Sequence, residues 1–192
     1  AEFQALQRIA PECRLKIALP GPLTFANNIA PGPAYGGNGI EALLADLSNI
    51  ISAELVALNR AGADFVQLDE PGFANPPDSI SMKSASSVIN HTLAASIGIT
   101  AVHICFGNNA SRPFARRDFG RLMPAMGALD CNMLLLEFAN REMADLVLLP
   151  QLSARHTVAA GVVDVKSFHV ETAEEVADRI RKVLEHLPAN KL

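Results

Sequence analysis

The sequence predicts an α/β fold in which a parallel sheet is covered by helices. Three observations carry this. Five apolar runs, at 15–19, 65–68, 99–106, 132–138 and 158–165, have the length of buried strands and are bounded by turn residues. Between them, apolar residues recur every three and four positions, the period of a helix. Polar, chemistry-bearing residues collect where each run ends. Alternating strands and helices with continuously apolar strands imply parallel pairing, since each strand returns through a helical crossover.

Taken in order, the first run leads into Leu19-Pro20-Gly21-Pro22 and then a Pro- and Gly-rich loop over 30–39. Ile40, Leu43, Leu44, Leu47, Ile50, Ile51, Leu55 and Leu58 mark one apolar helix face. The second run ends in Asp69-Glu70-Pro71, and weaker helical spacing covers 84–97. The third run carries His103 and Cys105, with weak helical patterns over 114–126 and 141–149 on either side of the fourth. After the fifth, Thr172 and Glu175 form a capping-box signature ahead of an amphipathic helix through Leu187.

Composition narrows the function classes. The chain has 192 residues, 20 acidic and 16 basic, 49% hydrophobic and 19% charged. That supports one sizeable core and excludes a disordered chain. No run approaches the roughly 18 apolar residues of a spanning helix. A net charge of −4 argues against nucleic acid or an anionic membrane as partner, because both need a basic field. Three irregularly spaced cysteines make no disulfide framework and predict a reducing, cytoplasmic compartment. Residue 1 is Ala, the stretch 1–14 has no signal-peptide pattern, and the chain is expected to be part of something longer.

In a parallel sheet the loops that follow the strands share one rim, where active sites are built. His103 and Cys105, two apart on a strand, project to one face. Imidazole and thiolate at that spacing suit zinc, and Glu137 at the next strand end supplies a third ligand. The competing reading of H-x-C is coincidence. Asp69, with Glu70 behind it, is either a turn-capping pair or a carboxylate that grips a substrate ammonium. Asp164 and Lys166, placed on one strand face, are either a plain ion pair or an acid and its orienting partner. Arg112, Arg116, Arg117 and Arg121 form either a solvated surface or a dock for an anionic tail. Cys13, Cys131 and His156 read as buried structural groups.

At these residues the sequence resembles the C-terminal catalytic barrel of the cobalamin-independent methionine synthase family and its short single-barrel relatives. The matching stretches are LPGPLTF at 19–25, GADFVQLDEPGF at 62–73, HICFGN at 103–108, LLLEFA at 134–139 and GVVDVKSFHVETAEEVADRIRKVLEHLP at 161–188. The resemblance implies a (β/α)8 TIM barrel of the methionine synthase/uroporphyrinogen decarboxylase type. About five βα units of it are present, so 1–192 is expected to be a partial catalytic domain without its first strands and C-terminal segment. It also implies zinc on His103, Cys105 and Glu137, a further cysteine ligand beyond Leu192, and Asp69 on the homocysteine amino group.

The implied activity is zinc-dependent methyl transfer from a methyltetrahydrofolate-type donor to homocysteine, giving methionine. Asp164 and Lys166 would handle the leaving group's proton, and homo-oligomerisation is left open. Lys166 stands where the synthases have a histidine, and the chain has no Trp. Both departures bring it closer to the epoxyalkane:coenzyme M transferase type, in which the cluster from Arg112 to Arg121 would hold a sulfonate. A metal-free decarboxylase-type barrel and a non-catalytic fragment are the remaining alternatives.

Overall fold

Five strands pair in parallel, and their order across the sheet is their order along the chain. They are β1 (Ile17–Pro20), β2 (Phe65–Asp69), β3 (Ile99–Ile104), β4 (Met133–Glu137) and β5 (Thr157–Gly161). The helices are α1 (Glu2–Ile9), α2 (Pro22–Ala26), α3 (Gly39–Arg60), α4 (Met82–Leu93), α5 (Met123–Gly127), α6 (Leu149–Ser153) and α7 (Ala173–Leu184). This computed structural model describes residues 2–192, apart from the side chains at 37 and 38. Among the described residues, no helix is long and apolar enough to cross a membrane.

The pleat sorts each strand's residues into two layers. Val66, Leu68, Val102, Ile104, Leu134, Leu136 and Val158 point to one side and are buried. They meet the apolar stripes of the helices, including Leu44 and Leu55 of α3, Ile89 of α4 and Met126 of α5. Fully burying one such side chain stabilises the fold by about 1.5–3 kcal/mol. The other face carries Ala18, Gln67, Asp69, His103, Leu135, Glu137, Ala159 and Gly161, by register with one another. Most of these are part-exposed. In a barrel this is the inward face; here β1 and β5 are its two edges.

Side-chain caps open two of the helices, and the one on α7 is the capping box the sequence implies. Ser81 caps α4 by accepting from the Ser84 N–H, and Thr172 and Glu175 form a complete capping box on α7. Each such cap contributes about 1 kcal/mol. Three expectations need correction. The stretch 114–126 is mostly irregular, with a single 3-10 turn before α5, because Ala110 and Ser111 take left-handed backbone and Pro113 follows. The stretch 141–149 is likewise broken, by left-handed Glu142, Met143 and Asp145. The fifth strand ends at Gly161, not 165, so Asp164 and Lys166 lie in a loop.

Candidate functional site

The site lies where β2, β3 and β4 end. Asp69 and His103 are direct register partners, and their side chains meet with Oδ1 3.2 Å from Nδ1. The same Asp69 oxygen accepts from Gln67 Nε2 at 2.6 Å, and Gln67 Oε1 accepts from Lys16 Nζ at 2.8 Å. A polar chain therefore crosses three strand positions on the inward face. Its electrostatics follow. The His103 ring holds Asp69 below the usual carboxylate range despite its burial. Burial alone would lower His103, but the Asp69 carboxylate and the Cys105 sulfur beside it push it up to about 9.

Glu137 ends β4 two residues beyond Leu135, the register partner of His103. Oε1 accepts from the Phe106 N–H at 2.9 Å. Oε2 accepts from Asn140 Nδ2 at 2.5 Å and from the Lys166 ammonium. A pocket of about 370 Å³ is lined by Gln67, His103, Leu135, Glu137, Ala159 and Gly161. Larger hollows lie elsewhere, one of about 490 Å³ between α4 and α5 and one of about 560 Å³ at the opposite rim. Neither contains His103, Cys105 or Glu137.

The donor set fits a zinc ion in kind. With Nδ1 engaged by the Asp69 carboxylate, a metal would take Nε2 by displacing its proton, giving the usual carboxylate–histidine arrangement of zinc sites. A thiol and a carboxylate stand on the same rim. Among the described residues, however, no three His, Cys, Asp or Glu side chains converge as a metal site. Glu137 is turned onto Lys166, Asn140 and the Phe106 backbone instead.

The other sequence candidates separate. Glu70 is 0% exposed and does not face the pocket. Its carboxylate accepts from the Leu23 and Thr24 N–H groups at 3.0 Å each and from the Thr24 hydroxyl at 2.8 Å, clamping the start of α2 to the end of β2. Burial pushes its pKa up to about 7, against those three donors. Gly21 makes room for it: a Cβ there would lie 2.0 Å from Glu70 Oε1.

Asp164 and the Lys166 ammonium do not form a pair. Asp164 Oδ1 accepts from the Lys166 backbone N–H at 2.9 Å, a turn closure, while the ammonium reaches Glu137. Arg112 and Arg116 are exposed and outside the pocket, and Arg116 pairs with Asp118 at 3.2 Å. Arg117 and Arg121 share no helix face; they donate to the carbonyls of Asn140 and Ala74. Cys131 and His156 are buried as expected, but Cys13 is exposed.

Sequence reasoning missed Gln67, Lys16 and Asn140. Gln67 was the one polar residue inside the apolar run 65–68, a signal that could have singled it out. Arg141 was also missed; it stacks over the Phe106 and Phe119 rings and pairs with Asp145 four residues on.

Comparison with known proteins bears on the family and the fold. Residues 13–192 match the family model for the cobalamin-independent synthase catalytic domain. Methionine synthase of Thermococcus kodakarensis is 32% identical over 178 residues, covering 93% of this chain and 48% of that protein. Methionine synthase of Saccharolobus solfataricus is 28% identical over 191 residues, 100% of this chain and 53% of that one. The chain thus spans about half the length of the curated relatives it matches. A B12-independent methionine synthase from Shewanella sp. W3-18-1, solved with selenomethionine, superposes with a TM-score of 0.81 at 27% identity. That match covers 100% of this chain and 57% of the other.

Proposed function

The chain belongs to the cobalamin-independent methionine synthase catalytic-domain family, and from that premise we propose that it carries the rim of a zinc-dependent thiol methyltransferase site. The acceptor is homocysteine, the donor a methyltetrahydrofolate-type molecule, and the product methionine. The observation that carries the reading is the His103–Asp69 contact at 3.2 Å, with Cys105 and Glu137 at the adjoining strand ends.

His103 through Nε2, Cys105 and Glu137 would hold the metal. When bound, zinc supplies Lewis acidity that lowers the acceptor thiol's pKa from about 8.5, so that a thiolate exists near neutrality. The chain's own residues do the rest. Asp69 Oδ1 holds the His103 ring in one tautomer, and Gln67, anchored by Lys16, fixes that carboxylate. Asp69 Oδ2 takes none of these bonds and is the acceptor for a substrate ammonium. Leu135, Ala159 and Gly161 give the pocket an apolar wall against which a short thiol side chain can lie dry. The attacking sulfur then forms a C–S bond as the donor's C–N bond breaks, and the leaving nitrogen takes up one proton, which balances the one the acceptor thiol gave up.

Arg112 and Arg116 are exposed and do not line the pocket, so they give the coenzyme M reading no anionic dock there. The test is metal analysis of the purified protein containing this chain, with methyl transfer to homocysteine assayed beside coenzyme M alkylation. Zinc near one equivalent and methionine formation are expected. A protein that alkylates coenzyme M but not homocysteine, or that is active without zinc, overturns the reading.

A further inference from the structure

We infer that Lys166 is a displaceable internal cation: it neutralises Glu137 while no metal is bound and must withdraw before Glu137 can become a ligand. The inference rests on the zinc reading above.

Four observations carry it. The Lys166 side chain is 7% exposed and that of Glu137 is 15% exposed, so this is a buried ion pair. A buried carboxylate without a partner is strongly unfavourable, and Lys166 removes that penalty at a site awaiting a dication. Second, the pair excludes the metal. Oε1 is taken by the Phe106 N–H, and Oε2 by Lys166 and Asn140. A metal approaching Oε2 meets a positive charge on the very oxygen it needs.

Third, the lysine can leave without moving its backbone. The loop beneath it is pinned: the Lys166 N–H donates to Asp164, the Asp164 N–H donates to Glu171 at 2.7 Å, and Arg179 donates to Glu171 and to the Val162 carbonyl, each at 2.7 Å. The four-carbon stem is the only part free to swing. Fourth, a destination exists. Asn140 gives its Nδ2 to Glu137, while the Oδ1 of the same amide is buried with no partner. Lys166 and Asn140 share the Glu137 Oε2 acceptor, so this unpaired oxygen belongs to the side chain beside the ammonium and offers it an acceptor on release.

The consequence is competition between Lys166 and zinc for one carboxylate. The experiment measures zinc affinity with a competing chelator, for wild type, Lys166→Met, Lys166→Gln and Lys166→Arg in the protein containing this chain. Cobalt substitution gives a separate readout, since a thiolate-to-cobalt band reports Cys105. Lys166→Met and Lys166→Gln should each bind zinc at least tenfold more tightly than wild type and melt lower when metal-free, with zinc restoring the loss. Lys166→Arg should stay within threefold of wild type.

A Lys166→Met protein that folds only with zinc present also supports the inference. Unchanged or weaker zinc affinity in both neutral variants, with the cobalt–thiolate band intact, overturns it and leaves the zinc reading standing. Absence of the cobalt–thiolate band and of zinc binding in all four proteins overturns both.

Discussion

Asp69 and His103 face each other across the β2–β3 register, and the carboxylate contacts Nδ1 of the ring rather than Nε2. The contact sets which nitrogen is left over. It also gives one carboxylate two separable duties, ring orientation through Oδ1 and ammonium binding through Oδ2.

Substitutions at 69 should separate those duties. Asp69→Asn keeps an oxygen to accept from Nδ1–H, so zinc content should hold while homocysteine binding weakens by about 1 kcal/mol, since the Asp69 side chain is 40% exposed and solvent screens the pair. Asp69→Ala removes both and should also cost about 10–100-fold in zinc affinity. Chelator titration beside homocysteine kinetics reads both effects. Unaltered zinc affinity in Asp69→Ala would show that the carboxylate does not orient the ring.

Glu70 gives a stability term with a definite sign. In the fold its carboxyl stays protonated up to about pH 7, whereas in the unfolded chain it ionises near its ordinary 4.5. Folding therefore takes up a proton between those values, and the term is present below 4.5 and lost as pH rises through 7. Its size is of order 3 kcal/mol. Urea unfolding from pH 4.5 to 8 should show wild type losing more stability with rising pH than Glu70→Gln. Parallel curves for the two proteins would remove Glu70 as the source.

Gly21→Ala should destabilise the fold by about 1–3 kcal/mol through overpacking against the Glu70 carboxylate. The double variant Gly21→Ala/Glu70→Ala should show a coupling energy of opposite sign, because the offending atoms are gone. Additive losses in thermal melts would locate the damage elsewhere.

The three thiols should label in a fixed order. Cys13 is exposed and should react first with a thiol reagent, Cys105 is half-buried and should follow, and zinc should protect it. Burial pushes Cys131 up to about 12, so it should stay unmodified at pH 7.5 until the protein unfolds. Mass-spectrometric peptide mapping over time checks the order, and early labelling of Cys131 would contradict its burial.

The strand count and the shared rim were legible because buried parallel strands write themselves as short apolar runs, and their exits must turn through polar residues. What escaped was set by contacts distant in sequence. Glu70 looks like a rim residue until Thr24, from another strand's exit, folds over it. Lys166 looked like the partner of Asp164 because the run 158–165 is apolar apart from Asp164 and reads as one strand, although Val163 and Val165 are exposed and the ladder stops at Gly161. The irregular stretch after β3 followed from left-handed residues at Ala110 and Ser111, which are not Gly or Asn and carry no local warning.

The strand order β1-β2-β3-β4-β5 has a kinetic meaning. Among the described residues every ladder joins a strand to the one made just before it. Loop closure is then met in small, similar instalments, which keeps the mean sequence separation of contacts low for a parallel sheet. A chain leaving the ribosome can therefore dock each βα unit onto the last as it emerges, from Ile17 toward Gly161.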